Sequence, residues 1–441
     1  MNWKMHKGCI LYDGGYMEDR EGSCTKVLLV GLDTGEEKDF DYSMQELKSL
    51  AEAGGKQVAG IITQRMDTVN KATYIGPGKV AEVKEYAGQC EAEEVIFDNA
   101  LSPSQMRNLG RELELPVADR TNLILDIFAD RARTREAKLQ VETARLQYIL
   151  PRLVGMRENL SRQGGTGGSM SNKGAGETKL ELDRRKIEHR ISELKKELEE
   201  VSRARDTMRK KRNQSRIPKV ALVGYTNAGK STILNHMVDL WGENREDKKV
   251  LERDMLFATL DTNIRRICPE PGNTFFLSDT VGFIEKLPHA LVKAFRSTLE
   301  EVSCADLIVQ VVDFSDEHHR QQMETTQETL KELEAGNIPQ IIVYNKADLC
   351  NMDRLPRKIG RQIYMAASLD CGMKELTEMI LECVYADRVE TELLLPYDKG
   401  SIVSYFMENA IVLEQEYRES GVWLKVCCHK SDAGKFLKYQ V

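Results

Sequence analysis

Directly after the apolar run KVALV, residues 224–232 read GYTNAGKST, which fits the spacing G-x-x-x-x-G-K-[ST] at a strand-to-helix junction. The chemistry served by that spacing is a grip on a phosphate chain. Gly224 and Gly229 let backbone N–H groups close around phosphate oxygens, with Tyr225, Thr226, Asn227 and Ala228 forming the loop between them. Lys230 offers a point charge to the outer phosphates and the Ser231 hydroxyl a ligand to Mg²⁺; Thr232 follows in a helix whose positive end faces the anion. A second apolar run, residues 274–277, leads into Asp279-Thr280-Val281-Gly282. There Asp279 is placed to serve the metal and Gly282 the terminal phosphate.

Asn345-Lys346-Ala347-Asp348 follows the strand-like QIIVY and resembles the guanine-reading motif of P-loop GTPases. A carboxylate at Asp348 can accept two N–H bonds from guanine, a donor pair that adenine lacks. Ala366-Ala367-Ser368 occupies the place where such GTPases present a backbone N–H to the guanine O6. Between the phosphate loop and DTVG lies MLFATLDTNIRR (255–266), containing Phe257, Ala258, Thr259, Leu260 and Asp261. Thr259 is expected to join Ser231 and Asp279 on the metal when GTP is bound, with Thr262 as the alternative. The order of the four elements points to a domain that binds GTP with Mg²⁺. Where many GTPases carry the glutamine that orients the attacking water, this chain has Phe283. Either hydrolysis is slow, or other groups replace the glutamine.

These residues need a scaffold, and the chain predicts one of class α/β. At 441 residues it is long enough for about two to four domains. Residues 1–125 alternate strand and helix candidates, as a small parallel sheet requires. Residues 126–216 read as two heptad helices folded into a long antiparallel hairpin, each arm reaching on the order of 40–50 Å. The glycine-rich stretch 162–177 is expected to break the helix at the tip, and Pro151 to kink the first arm. Residues 217–387 form the GTPase domain, and 394–441 a small C-terminal α/β domain. The net charge is −7, yet residues 129–216 carry 23 basic against 13 acidic side chains. That arm suits a polyanion. Arg162, Gly164, Gly165, Gly167, Gly168 and Lys173 at the tip, with Arg209, Lys210, Lys211 and Arg212 at the far end, are the candidate RNA contacts. The alternative is a solvated hairpin turn. Neither a membrane-spanning run nor a secretory leader is expected, and the ten scattered cysteines fit reduced thiols in the cytoplasm.

Nearly the whole chain resembles the HflX family of ribosome-associated GTPases. The resemblance rests on GYTNAGKST, LFATLD, DTVGF and NKAD. Outside the GTPase domain it rests on TYIGPGK (73–79), DRTNLILDIFADRARTREAKLQVE (119–142), YILPRL (148–153), LSRQGG (160–165) and GAGETKLELDRR (174–185). It departs from the usual family pattern at the tip (GGTGGSMSNKGAGE for GGGIGTRGPGE), in LDTNIRR for LDPTxRR, and in AAS for SAx. The resemblance implies a cytoplasmic protein that docks on the large ribosomal subunit and its rRNA and separates the subunits of stalled ribosomes; a monomer is expected. GTPases with an apolar residue at the glutamine position often carry a loop asparagine, which in several of them ligates potassium. This makes Asn227 a candidate K⁺ ligand, the alternative being a loop brace. Lys230, Asn227, Thr259 and Gly282 then form the expected catalytic set. Two other readings remain: a GTP-gated recruitment module with incidental hydrolysis, and an RNA-modification GTPase.

Overall fold

The computed structural model describes residues 2–6, 9–13, 24–35, 39–154, 171–214, 217–242, 256–257, 262–270, 272–286, 301–350, 352 and 354–441. For 2–6, 9–13, 153–154, 171–180, 204–214 and 408–409 it describes the backbone alone. The chain divides into two compact units, Met1–Ile124 and Leu125–Val441.

In the first unit β1 (Asn2–His6) and β2 (Cys9–Asp13) pair as an antiparallel hairpin. Four parallel strands follow in the order β4-β3-β5-β6: β3 (Lys26–Asp33), β4 (Gln57–Arg65), β5 (Glu94–Phe97) and β6 (Val117–Asp119). The crossovers contain α1 (Phe40–Ala53), α2 (Pro77–Gln89) and α3 (Pro103–Leu113). Val27–Gly31 on β3 are all buried, the continuous apolar run expected of a central strand covered on both faces. Helix α3 starts at a reciprocal Ser102–Gln105 capping box. At the end of β6, buried Arg120 pairs with Asp98 and Glu46.

The second unit includes most of α4 (Arg120–Arg131), then α5 (Arg135–Val154) and the 44-residue α6 (Ser171–Gln214). Arg135 meets Glu197 while Glu142 meets Arg190, so α5 and α6 run in opposite directions. Leu139 and Leu146 on α5 and Ile187, Ile191 and Leu194 on α6 are buried, the apolar stripe of a heptad pair. One expectation is corrected here: the helix is already formed at Ser171, so Gly174 and Gly176 lie inside it. A glycine costs a helix only about 1 kcal/mol, which a long continuous helix can absorb. Residues 155–170, which include the rest of the expected tip (162–170), lie outside the described residues.

A seven-stranded sheet follows, in the order β12-β13-β11-β10-β7-β9-β8. Its strands are β7 (Lys219–Gly224), β8 (Asn263–Glu270), β9 (Asn273–Asp279), β10 (Leu307–Asp313), β11 (Gln340–Asn345), β12 (Arg357–Ile359) and β13 (Gln362–Tyr364). The five inner strands are parallel and the two edges antiparallel. Helices α7 (Lys230–Trp241), α8 (His319–Glu332) and α9 (Met373–Val384) pack against it over Leu222, Ile233, Val309, Val343 and Leu330. Beyond Tyr385 a smaller antiparallel sheet, order β14-β16-β15, is built from β14 (Arg388–Leu395), β15 (Ile411–Arg418) and β16 (Gly421–His429). α10 (Gly400–Asn409) and α11 (Lys430–Lys435) complete this end around Phe406 and Leu424. Among the described residues no helix is long and apolar enough to cross a membrane.

Candidate nucleotide-binding site

The motif loops all leave the C-terminal ends of the parallel strands, where open α/β sheets bind their ligands. Leu222 of β7 is in register with Asp279 of β9, and Val311 of β10 with Gly224. Two glycines in the phosphate loop are required by geometry. At Gly224 (φ +147°) a Cβ would lie 2.1 Å from the Val311 carbonyl oxygen, and at Gly229 (φ +95°) 2.2 Å from Asn345 Nδ2. Asn227, at the crown, is exposed with φ +60°.

Lys230 is buried, and its Nζ donates to the carbonyls of Gly224 (3.1 Å) and Tyr225 (2.7 Å). Burial pushes its ammonium down to about 8, against the opposing pull of the Asp279 carboxylate. The Ser231 hydroxyl donates to Asp279 Oδ2 at 2.6 Å. These two hard oxygen donors, converging beside the loop, fit a magnesium ion. Thr232 lies in the first turn of α7.

Several predicted contacts turn out to brace the site. Thr280 Oγ1 donates to the Leu222 carbonyl at 2.7 Å and is fully buried. The Tyr225 phenol accepts from the Glu285 N–H at 2.8 Å. Asn345 donates through Nδ2 to the Ala228 carbonyl and accepts through Oδ1 from the Ala367 N–H, both at 2.9 Å. It therefore ties the phosphate loop to the 366–368 segment. Ala366 N–H already donates to Cys371 O, so two of the three amides there have acceptors. Lys346 (φ +58°) pairs with Asp313 Oδ2 at 2.7 Å. Ala347 is buried, and Asp348 keeps a buried Oδ1 with no hydrogen-bond partner among the described residues. That orphaned acceptor is what a guanine N–H would satisfy.

Phe283 is 1% exposed and packs with Val223, Val302, Ile308 and Leu330. Its backbone extends the sheet: Thr226 N–H donates to Phe283 O (2.9 Å) and Phe283 N–H to Gly224 O (3.1 Å). The side chain at the glutamine position thus serves the core, while its peptide groups join the phosphate loop to the DTVG segment. Val281 is also buried. Phe257 (φ +55°) is buried edge-on against Phe128, ring centroids 4.7 Å apart. Ala258, Thr259, Leu260 and Asp261 lie outside the described residues, as do Arg162, Gly164, Gly165, Gly167 and Gly168. Lys173, Arg209, Lys210, Lys211 and Arg212 are placed on α6 by backbone only. The bracing contacts of Asn345, Tyr225 and Phe283 are not spelled out by the motifs; the apolar Phe283-Ile284 pair is the one sequence sign of a core position.

Three family models match the chain: GTP-binding GTPase N-terminal over residues 41–129, GTP-binding GTPase middle region over 131–212, and 50S ribosome-binding GTPase over 219–346. GTPase HflX of Caldanaerobacter subterraneus subsp. tengcongensis is 41% identical, covering 94% of this chain and 94% of its own length. GTPase HflX of Alkalihalophilus pseudofirmus is 42% identical over 89% of this chain and 91% of its own. The Escherichia coli GTPase HflX is 37% identical over 92% and 93%.

Proposed function

The chain belongs to the HflX family of GTPases, and we propose that it acts on ribosomes, docking on the large subunit and separating the subunits of stalled particles in the cytoplasm as a monomer. Its chemistry is hydrolysis of GTP to GDP and phosphate. The observation that carries the ribosomal reading is the match of residues 219–346 to a 50S ribosome-binding GTPase model, continuous with two further family models along the chain. The antiparallel α5–α6 pair supports it, because its glycine-rich end and basic far end suit threading and anchoring on rRNA.

In the site, Lys230 and the loop amides hold the β- and γ-phosphates, Ser231 and Asp279 hold Mg²⁺, and Asp348 reads guanine. Bound Mg²⁺ supplies charge neutralisation at the phosphates. We assign the metal-bound switch threonine to Thr259. Asn227 is exposed at the crown of the loop, a position from which its amide oxygen can hold K⁺ against the same phosphates. Intrinsic turnover is slow, since Phe283 is committed to the core.

The test is GTP hydrolysis in potassium buffer with and without purified large subunits. Strong stimulation is expected. No stimulation with GTP binding intact would favour a nucleotide-gated recruitment switch. Deleting 163–176 should abolish subunit splitting, whereas a recruitment switch would survive the deletion. An Asn227→Ala variant with an unchanged rate in potassium and in sodium would remove the potassium assignment.

A further inference from the structure

Phe283 leaves the attacking water without its usual partner, and the structure holds one hydroxyl suited to replace it. Thr226 is 6% exposed, and its Oγ1 is buried with no hydrogen-bond partner among the described residues. Its N–H is fixed on Phe283 O at 2.9 Å, so the residue is held against the DTVG segment. A Cβ built on Gly282 would lie 2.7 Å from Thr226 Cα, 2.8 Å from Thr226 Cγ2 and 3.0 Å from Lys230 Nζ. Thr226, Gly282 and Lys230 therefore meet at one point, where the lysine and the glycine amide address the terminal phosphate. A buried hydroxyl without a partner is costly to keep. This one belongs to a residue that a backbone bond holds beside Gly282, its Cα and Cγ2 being the atoms nearest that glycine.

We propose that Thr226 is a positioning residue for hydrolysis: its hydroxyl accepts a hydrogen bond from the attacking water and aims that water at the γ-phosphorus. In the reaction the water oxygen forms the new P–O bond. The bond from the γ-phosphorus to the β–γ bridging oxygen breaks, and its electron pair leaves with GDP. The water proton passes to the phosphate product, and the threonine gains and loses none. The inference rests on the phosphate-loop reading of Gly224–Ser231.

Thr226→Val keeps the shape and removes the hydroxyl; Thr226→Ser keeps the hydroxyl. Single-turnover GTP hydrolysis and the affinities for GTP and GDP are measured for both in potassium buffer. Valine should slow hydrolysis on the order of tenfold to a hundredfold, as misplacing a reactant does, with both affinities retained, and serine should restore the rate. Three results overturn the proposal: a native rate in the valine variant, loss of GDP affinity in step with the rate, or a serine variant as slow as valine. Lys230→Ala serves as the control on the underlying reading. If it still binds GTP, the phosphate-loop assignment itself fails; if it loses GTP while valine is silent, only the role of Thr226 falls.

Discussion

Lys230 carries the largest electrostatic consequence of a single residue. Its ammonium titrates near 8 in place of 10.5 because burial strips its water, and Asp279 recovers only part of that loss. Below pH 8 the lysine is charged in both folded and unfolded chains, and the full burial cost is present. Between pH 8 and 10.5 the unfolded chain binds the extra proton, so folding stability rises with pH across that window, by about 3 kcal/mol in all. A phosphate chain reverses the balance by favouring the charged form. Binding of GDP above pH 8 should therefore take up a proton and weaken as pH rises. Titration calorimetry in two buffers of different ionisation heat should give different enthalpies, and Lys230→Arg should abolish the difference, since guanidinium does not titrate there. Equal enthalpies for the native chain would contradict the shift. Phe283 gives a second residue-scale prediction. Because its ring is core, Phe283→Gln should destabilise the fold by about the few kcal/mol typical of a lost buried aromatic, seen as a lower melting temperature, without accelerating hydrolysis. A faster glutamine variant would mean the side chain can swing out to the phosphates.

Elements hold the site through contacts the motifs do not state. Asn345 ends β11 and bonds both the phosphate loop and the 366–368 segment. Asn345→Ala should thus weaken GTP and GDP together, by the roughly 1–3 kcal/mol of buried groups left unpaired, a loss measurable by equilibrium binding. A loss confined to GTP would point instead to a contact with the γ-phosphate. The phosphate loop, DTVG and NKAD are legible in the sequence because phosphate and guanine chemistry fix both residue type and spacing. The inner strands are legible because burial on both faces forces continuous apolar runs such as VALVG and LIVQVV. The edges are not. β8 carries Arg265 and Arg266 and runs antiparallel at the sheet's end, and most of β15 faces solvent. With one side wet, neither needs an apolar pattern, and pairing with a neighbour alone makes them strands. The joint beyond α9 is equally silent in the sequence. Tyr385 OH bonds Thr274 O at 2.5 Å, and Arg388 stacks on Tyr385 while reaching Asn273 at 3.1 Å, clamping the β8–β9 turn. Only the fold brings residues more than a hundred positions apart into that contact.

At the scale of the whole molecule the decisive feature is charge held at a distance. The chain is net −7, yet its basic excess is concentrated between 129 and 216, so an RNA surface repels most of the protein and attracts this arm. Helix α6 has 44 residues and extends about 66 Å at 1.5 Å per residue. That is several times the roughly 10 Å over which charges act at 0.1 M salt. Charges at its two ends are therefore screened from one another. If Arg209, Lys210, Lys211 and Arg212 lie on rRNA phosphates as proposed, changing all four to alanine should flatten the salt dependence of large-subunit binding. The slope of log affinity against log salt should fall by roughly 3 to 4, while hydrolysis without ribosomes stays as it was. Deleting 163–176 removes glycines and few charges, so it should abolish the proposed splitting with a much smaller change of slope. The two variants separate anchoring from action: a slope unaltered by the quadruple change would move the anchor off this end of the helix, whatever the tip does.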